Sequence, residues 1–220
     1  MKTAVIALSM GMGIGLSLGT PVLAQIAPAP ETPRASMIDK LINSPFVQNW
    51  NTWGLTPNPT PHDVQGVTGG KALTIDVKRA GDPWSVGAVM TNSGAIKAGD
   101  VLLLGVWVRA SKLPEGQTAT RMPVILLEAQ GEPKVALAQA SNVAVGEGWT
   151  MLYASGVAPK DVAPGQSSII LQMGQAVQTL ELGPALLFDF GPDYHRARLP
   201  QNPNQRISAS NGTAGRPAVP

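Results

Sequence analysis

The sequence predicts an all-β fold, a two-sheet antiparallel β-sandwich. Three observations predict it. Residues 101–110 alternate, with Leu102, Leu104, Val106, Val108 and Ala110 on one side and Leu103, Gly105, Trp107 and Arg109 on the other; a period of two sustained this long is that of a strand with one aliphatic core face. Eight to ten short apolar runs follow one another, split by Gly, Pro, Asn and Asp, at the spacing of a sandwich. No stretch carries sustained helical periodicity with caps, which argues against an α/β sheet.

The elements follow in order. Residues 1–24 read as a secretory signal: Lys2, an apolar run from Ala4 to Leu18, then Val22-Leu23-Ala24 with small residues at the cleavage positions. Residues 25–36, with Ile-Ala-Pro-Ala-Pro-Glu-Thr-Pro, form an extended Pro/Ala linker. Met37 to Asn43 reads as a first strand or a short helical turn. Trp50 and Trp53 lie in a loop that folds over an edge of the core, where a Trp is usually packing. Thr56 to Gly70 is a loop. Strands are predicted over 72–77, 84–90, 101–110, 122–128, 135–140, 143–145, 149–155 and 168–173, with turns at Ala98-Gly99-Asp100 and Ser141-Asn142. Residues 179–190 form one bent strand or two, broken at Gly183-Pro184. The domain therefore spans 37–191. From residue 192 the composition turns to Asn, Pro, Gly, Ser and Arg, predicting a disordered tail over 192–220 in which Leu199 and Val219 are too isolated to build a second core.

Composition narrows the function. The 220 residues contain no cysteine, so an exported chain must hold its fold by its core alone. Without the signal, 15 basic and 14 acidic side chains leave a net charge of +1, with no Lys/Arg cluster to read as a nucleic-acid surface. No run beyond the signal is apolar enough to cross a bilayer. His62 and His195 stand outside any metal-ligand spacing, and no Ser occupies a Gly-x-Ser-x-Gly elbow. Glu128 with Glu181 or Asp189 is the one carboxylate pairing available for glycoside chemistry, and the spacing does not favour it. The chain is not expected to be an enzyme.

The order of an early Phe/Trp loop, Ala72-Leu73-Thr74-Ile75, Pro83-Trp84, Gly99-Asp100, Val106-Trp107-Val108-Arg109-Ala110, Gly148-Trp149, a Leu/Gln/Met strand ending in Gly174, Glu181-Leu182-Gly183 and Phe188-Asp189 resembles the jelly-roll carbohydrate-binding modules of the galactose-binding-like superfamily. These are non-catalytic parts of bacterial xylanases and related polysaccharide-degrading enzymes. The resemblance covers about 37–191. It implies a jelly roll that binds a polysaccharide or oligosaccharide on a concave sheet face or at edge loops, often with a structural calcium, and the signal-like residues 1–24 predict a secreted or periplasmic protein. In such modules an acidic residue commonly follows the Phe of the first loop. Here Val47 follows Phe46, leaving Asp189 without its partner, so no cofactor is expected.

Sugar binding needs a flat ring to stack on a pyranose and planar polar groups to reach its hydroxyls. The strand faces offer Trp107 and Arg109 outward on 101–110, Glu128 outward on 122–128 with Ile125 and Leu127 inward, and Gln172 outward on 168–173 with Ile169, Leu171 and Met173 inward. The expected surface gathers Trp107, Arg109, Glu128 and Gln172, with Trp84 and Gln178 at its rim. Trp84, after a Gly-Asp-Pro turn, is the leading candidate for a stacking ring. The competing expectation is structural: Trp107 and Trp149 as core residues, Arg109 and Glu128 as a salt bridge between strands, and the whole as an envelope sandwich that binds a protein partner.

Overall fold

The computed structural model describes residues 36–203. The expected signal, most of the linker and the tail beyond 203 lie outside the described residues. The chain forms ten strands: β1 (Asn51–Trp53), β2 (His62–Asp63), β3 (Lys71–Val77), β4 (Gly87–Asn92), β5 (Val101–Lys112), β6 (Thr120–Ala129), β7 (Val135–Val145), β8 (Thr150–Val157), β9 (Ser167–Gln172) and β10 (Gln178–Asp189). Short 3₁₀ turns occupy Met37–Lys40, Val47–Asn49, Pro83–Ser85 and Arg196–Arg198. No helix among the described residues is long and apolar enough to cross a membrane.

Every named pairing is antiparallel, in the order β1-β4-β9-β6-β7-β8-β5-β10-β3-β2. The ladder is continuous but bends sharply at β7 and β8, which meet through one registered pair, Gln139 opposite Ser155. Gly156 permits the bend: a Cβ there would lie 1.9 Å from the Leu137 carbonyl oxygen, so only glycine allows the two strands to cross this closely. The sheet is thereby folded into two layers, β1-β4-β9-β6-β7 and β8-β5-β10-β3-β2, whose facing sides enclose the core. Leu102, Leu104, Val106, Val108 and Ala110 of β5 all face inward, as their alternation predicts. Ile125 and Leu127 of β6, and Ile169 and Leu171 of β9, join them from the opposite layer, along with Met173 just beyond β9. Trp50 closes one side of the sandwich, its indole N–H donating to the Gly183 carbonyl at 3.2 Å.

Four local expectations are changed or, at Gly183-Pro184, narrowed to the first of two alternatives. The residues around Trp84 form a 3₁₀ turn rather than the start of a strand, which begins at Gly87. Ser141-Asn142 does not break the chain: Asn142 takes a φ of 53°, a left-handed conformation that Asn tolerates, and β7 runs through it. Gly183-Pro184 is an irregularity inside one long β10, where the register against β5 shifts between Leu182 and Ala185.

The fourth is the tail, corrected over residues 192–203, which pack on the domain. Leu199 is buried with Val101 and Leu103, and Tyr153, Phe188, Phe190 and Tyr194 pack against them. Asn202 supplies what a neighbouring strand would: its side-chain amide donates to the Tyr153 carbonyl at 2.6 Å, and its carbonyl oxygen accepts from the Tyr153 N–H at 2.7 Å. A single side chain thus satisfies a backbone unit of β8. Composition alone hides this, since one Leu and one Asn in a polar stretch carry no periodicity.

Candidate functional site

Strand register lays out the outer face of β1-β4-β9-β6-β7 row by row. Trp53, Gly87, Gln172, Val124 and Ser141 stand opposite one another across the five strands. The next row is Asn51, Val89, Ile170, Leu126 and Gln139. The third is Thr91, Ser168, Glu128 and Ala136. Val89, Ile170, Val124 and Leu126 are partly buried, forming an apolar floor between polar margins.

Trp53 is the aromatic group of this face. Its benzo ring lies over Gly87, where a Cβ would meet Trp53 Cζ2 at 2.1 Å and Cη2 at 2.4 Å. Glycine at this position is what lets the ring lie down on the sheet. The indole N–H donates to the Trp84 carbonyl oxygen at 2.7 Å, which fixes the other edge of the ring. Beside it, Gln172 has no hydrogen-bond partner among the described residues, so both ends of its amide are available. Glu128 is held by Lys134 at 3.4 Å and is only partly exposed. The face therefore combines a pinned aromatic ring, an apolar floor and neutral amides, with its one carboxylate already matched.

The residues expected to form a single surface are divided. Glu128 and Gln172 lie on this face. Trp84 sits at the N-terminal end of β4, 60% exposed, and touches the site through its backbone carbonyl. Trp107 and Arg109 lie on the outer face of the other layer, opposite Met151 of β8 and Glu181 of β10. The core separates the two groups, because outward positions on opposite layers of a sandwich point apart. The proposed Arg109–Glu128 salt bridge is likewise corrected: Arg109 Nε donates to Glu181 Oε2 at 2.6 Å. Gln178 is not at a rim. It is 1% exposed, accepts from the Thr120 hydroxyl and donates to the Met173 carbonyl at 3.1 Å. As the first residue of β10 it reads as an edge position in the sequence, but the preceding loop, through Met173, and β6, through Thr120, enclose it.

Part of the outer face of β8-β5-β10-β3-β2, around Trp107, Arg109 and Tyr153, is covered by its own chain. Val67 of the loop after β2 and the Trp107 Cβ fill the space above Gly183, each 2.9 Å from where a Cβ would stand. The Trp149 indole N–H donates to the Gln65 carbonyl at 3.0 Å, and the Arg109 guanidinium sits 5.0 Å from the Trp149 ring centroid. His62 Nε2 approaches Glu181 Oε1 at 4.0 Å. Residues 192–203 cover the other end. Trp107, Trp149 and Arg109 thus act in packing and ion pairing that tie loops to the sheet.

The carboxylates are also separated. Glu128 occupies one layer while Glu181 and Asp189 occupy the other, so the fold does not assemble the pair considered for glycoside chemistry. Asp189 lies beside Asp100, the one carboxylate neighbour that a calcium site would use here. Asp100 Oδ2 already accepts the Lys97 N–H at 2.6 Å and Asp189 Oδ1 the Gly191 N–H at 2.8 Å. Among the described residues no three His, Cys, Asp or Glu side chains gather in one place. Asp100 and Asp189 thus bring two carboxylates together, each with one oxygen already engaged by a backbone N–H.

Burial pushes the Asp189 carboxyl above the usual carboxylate range, and Asp100 adds to the rise. The Gly191 N–H and Lys40 oppose it without cancelling it. A raised native pKa means that the native state holds its proton more tightly than the unfolded chain, so this contribution is present at low pH and is lost as pH rises through the native value. Asp189→Asn keeps an acceptor for Gly191 and removes the charge. It is expected to raise the melting temperature at pH 7, with the gain disappearing near pH 4, as differential scanning calorimetry across that range would show.

No protein-family model matches the sequence, and no curated protein matches it. Comparison with solved structures finds carbohydrate-binding modules of xylanases and glucanases. The CBM22-1–GH10 modules of Clostridium thermocellum endo-1,4-β-D-xylanase 10B, complexed with xylohexaose, superpose with a TM-score of 0.49 and 16% identity over 68% of this chain and 29% of that one. The N-terminal cellulose-binding domain of Cellulomonas fimi β-1,4-glucanase C gives 0.44 and 18% over 70% and 97%. The CBM22-1 xylan-binding domain of a Paenibacillus barcinonensis xylanase gives 0.44 and 12% over 69% and 92%. This chain corresponds to under a third of the first of these proteins and to nearly all of the other two. Similarity at this level assigns no ligand to the chain.

Proposed function

We propose that the chain is an exported, non-catalytic carbohydrate-binding module that takes a neutral polysaccharide along the outer face of β1-β4-β9-β6-β7. The observation that carries the reading is Trp53, a flat ring laid on the sheet over Gly87 and fixed at its N–H edge, next to the unpartnered amide of Gln172. An indole face offers apolar area to the C–H face of a pyranose at low conformational cost, because the ring is already held. Gln172, Gln139, Ser141 and Asn51 then stand within two rows of the ring to meet hydroxyls. A charged sugar finds no free counter-ion here, since Glu128 is matched by Lys134. Export rests on the signal-like residues 1–24.

The test is a titration of the protein with soluble neutral polysaccharides, followed by intrinsic Trp fluorescence. Xylan and cellulose-derived chains, the ligands named for the modules it resembles, start the panel. The reading expects a saturable change with at least one glycan, absent in Trp53→Ala and retained in Trp107→Phe. Silence across the panel would instead favour the envelope sandwich with a protein partner.

A further inference from the structure

A second concavity borders the Trp53 end of this face, between residues 54–60, the end of β3 and Ser85-Val86, with a volume of about 780 Å³. Its walls differ in character from the sheet face. Lys78 and Arg79 line it, and neither has a hydrogen-bond or ion-pair partner among the described residues. Four other basic side chains of this domain are held by carboxylates: Lys71 by Asp63, Lys97 by Asp161, Lys134 by Glu128 and Arg109 by Glu181. Lys112, Lys160 and Arg198 also stand outside any ion pair among the described residues, so what sets Lys78 and Arg79 apart is their adjacency at one concave wall. Asp76 is the one carboxylate lining the cleft, and its Oδ1 accepts the Thr179 hydroxyl at 3.1 Å. Two cationic side chains against one carboxylate leave the cleft positive.

The rest of the lining is suited to a sugar ring. Thr60, Thr74 and Asn58 bring polar groups with no partner among the described residues, and Pro57 and Pro59 add rigid apolar surface. We infer that this cleft binds an acidic sugar, a uronate unit whose carboxylate is held by Lys78 and Arg79 while its hydroxyls meet the threonines, Asn58 and Asp76. A guanidinium pairs with a planar carboxylate through two parallel N–H donors, and an ammonium beside it adds point charge. The sugar part of this inference rests on the glycan reading of the chain; the carboxylate part rests on the cleft's own charge. Together the two sites suit a mainly neutral polysaccharide that carries uronate units.

The test is isothermal titration of the mature protein with trigalacturonate, with the neutral galactose trimer and with inorganic phosphate. Trigalacturonate is expected to bind, more weakly as salt rises from 20 to about 500 mM, because exposed charges are screened over that range. Lys78→Gln/Arg79→Gln is expected to lose about tenfold in affinity, the scale of losing hydrogen bonds to a charged group, while its melting temperature and its binding of neutral glycan stay unchanged. In Trp53→Ala the trigalacturonate affinity is expected to persist, which separates this site from the sheet face: a chain that binds trigalacturonate but no neutral polysaccharide keeps this inference and loses the other. Equal binding of the neutral trimer, equally tight binding of phosphate, or full affinity in the double variant would each overturn it. So would trigalacturonate affinity that ignores salt.

Discussion

Trp53→Ala is expected to weaken binding of a neutral polysaccharide by about 2 kcal/mol, roughly thirtyfold in Kd. The size follows from what the ring does. It is held before the ligand arrives, by contact with Gly87 and by the bond from its N–H to the Trp84 carbonyl at 2.7 Å. Little side-chain freedom is lost on binding, so most of the stacking energy reaches the measured affinity. The fold should survive, because Trp53 lies outside the core on the short first strand. Gly87→Ala should act on the same property by another route. A methyl there meets the Trp53 ring and, at 2.5 Å, the Leu171 carbonyl oxygen, so the ring must lift from the sheet. Affinity measured for both variants, with circular dichroism as the control for folding, checks this.

The second large effect concerns the sandwich itself. Leu104 of β5 has no exposed surface and stands between Ala154 of β8 and Leu187 of β10. Leu104→Ala is expected to destabilise the domain by about 3 kcal/mol, from lost burial and from the cavity left in a core that two layers hold open. For a domain of this size the melting temperature should fall by about 10 °C. Chemical denaturation gives the free energy directly. A loss below about 0.5 kcal/mol, the range of surface substitutions, would mean that the inward face of β5 has been misassigned.

Much of the core was legible because it needs only periodicity. The alternation in β5 fixes its inward face, and the inward residues of β6 and β9 follow by the same rule. The site was less legible, for a reason of topology. Trp107 and Gln172 are each outward on their own strands, but whether two outward faces coincide depends on which strands share a layer, and periodicity carries no pairing information. The bend at Gly156, set by an approach to Leu137, places β5 and β9 in opposite layers. Trp53 was hidden by length. A strand of three residues has no period to detect, and a Trp near Gly and Pro reads as packing. The usable signal is a pair of residues far apart in sequence: a Trp on an edge strand registered against Gly87, which only the pairing of β1 with β4 reveals. Gln178 misled for the opposite reason, since a polar residue opening a strand looks exposed until Thr120 is brought against it.

The central claim is that neutral glycan is carried by the outer face with Trp53 and not by the outer face with Trp107. Nuclear magnetic resonance of ¹⁵N-labelled protein, titrated with a neutral oligosaccharide that binds, tests it most directly. The five tryptophans give separate indole N–H signals, and the Gln side-chain amides are resolved from the backbone. The structure predicts the largest shifts at the Trp53 indole and at the Gln172 and Gln139 side chains, with the Trp107 and Trp149 indoles unmoved. Shifts concentrated at Trp107 and Trp149, with Trp53 silent, would place the ligand on the opposite layer and contradict the account.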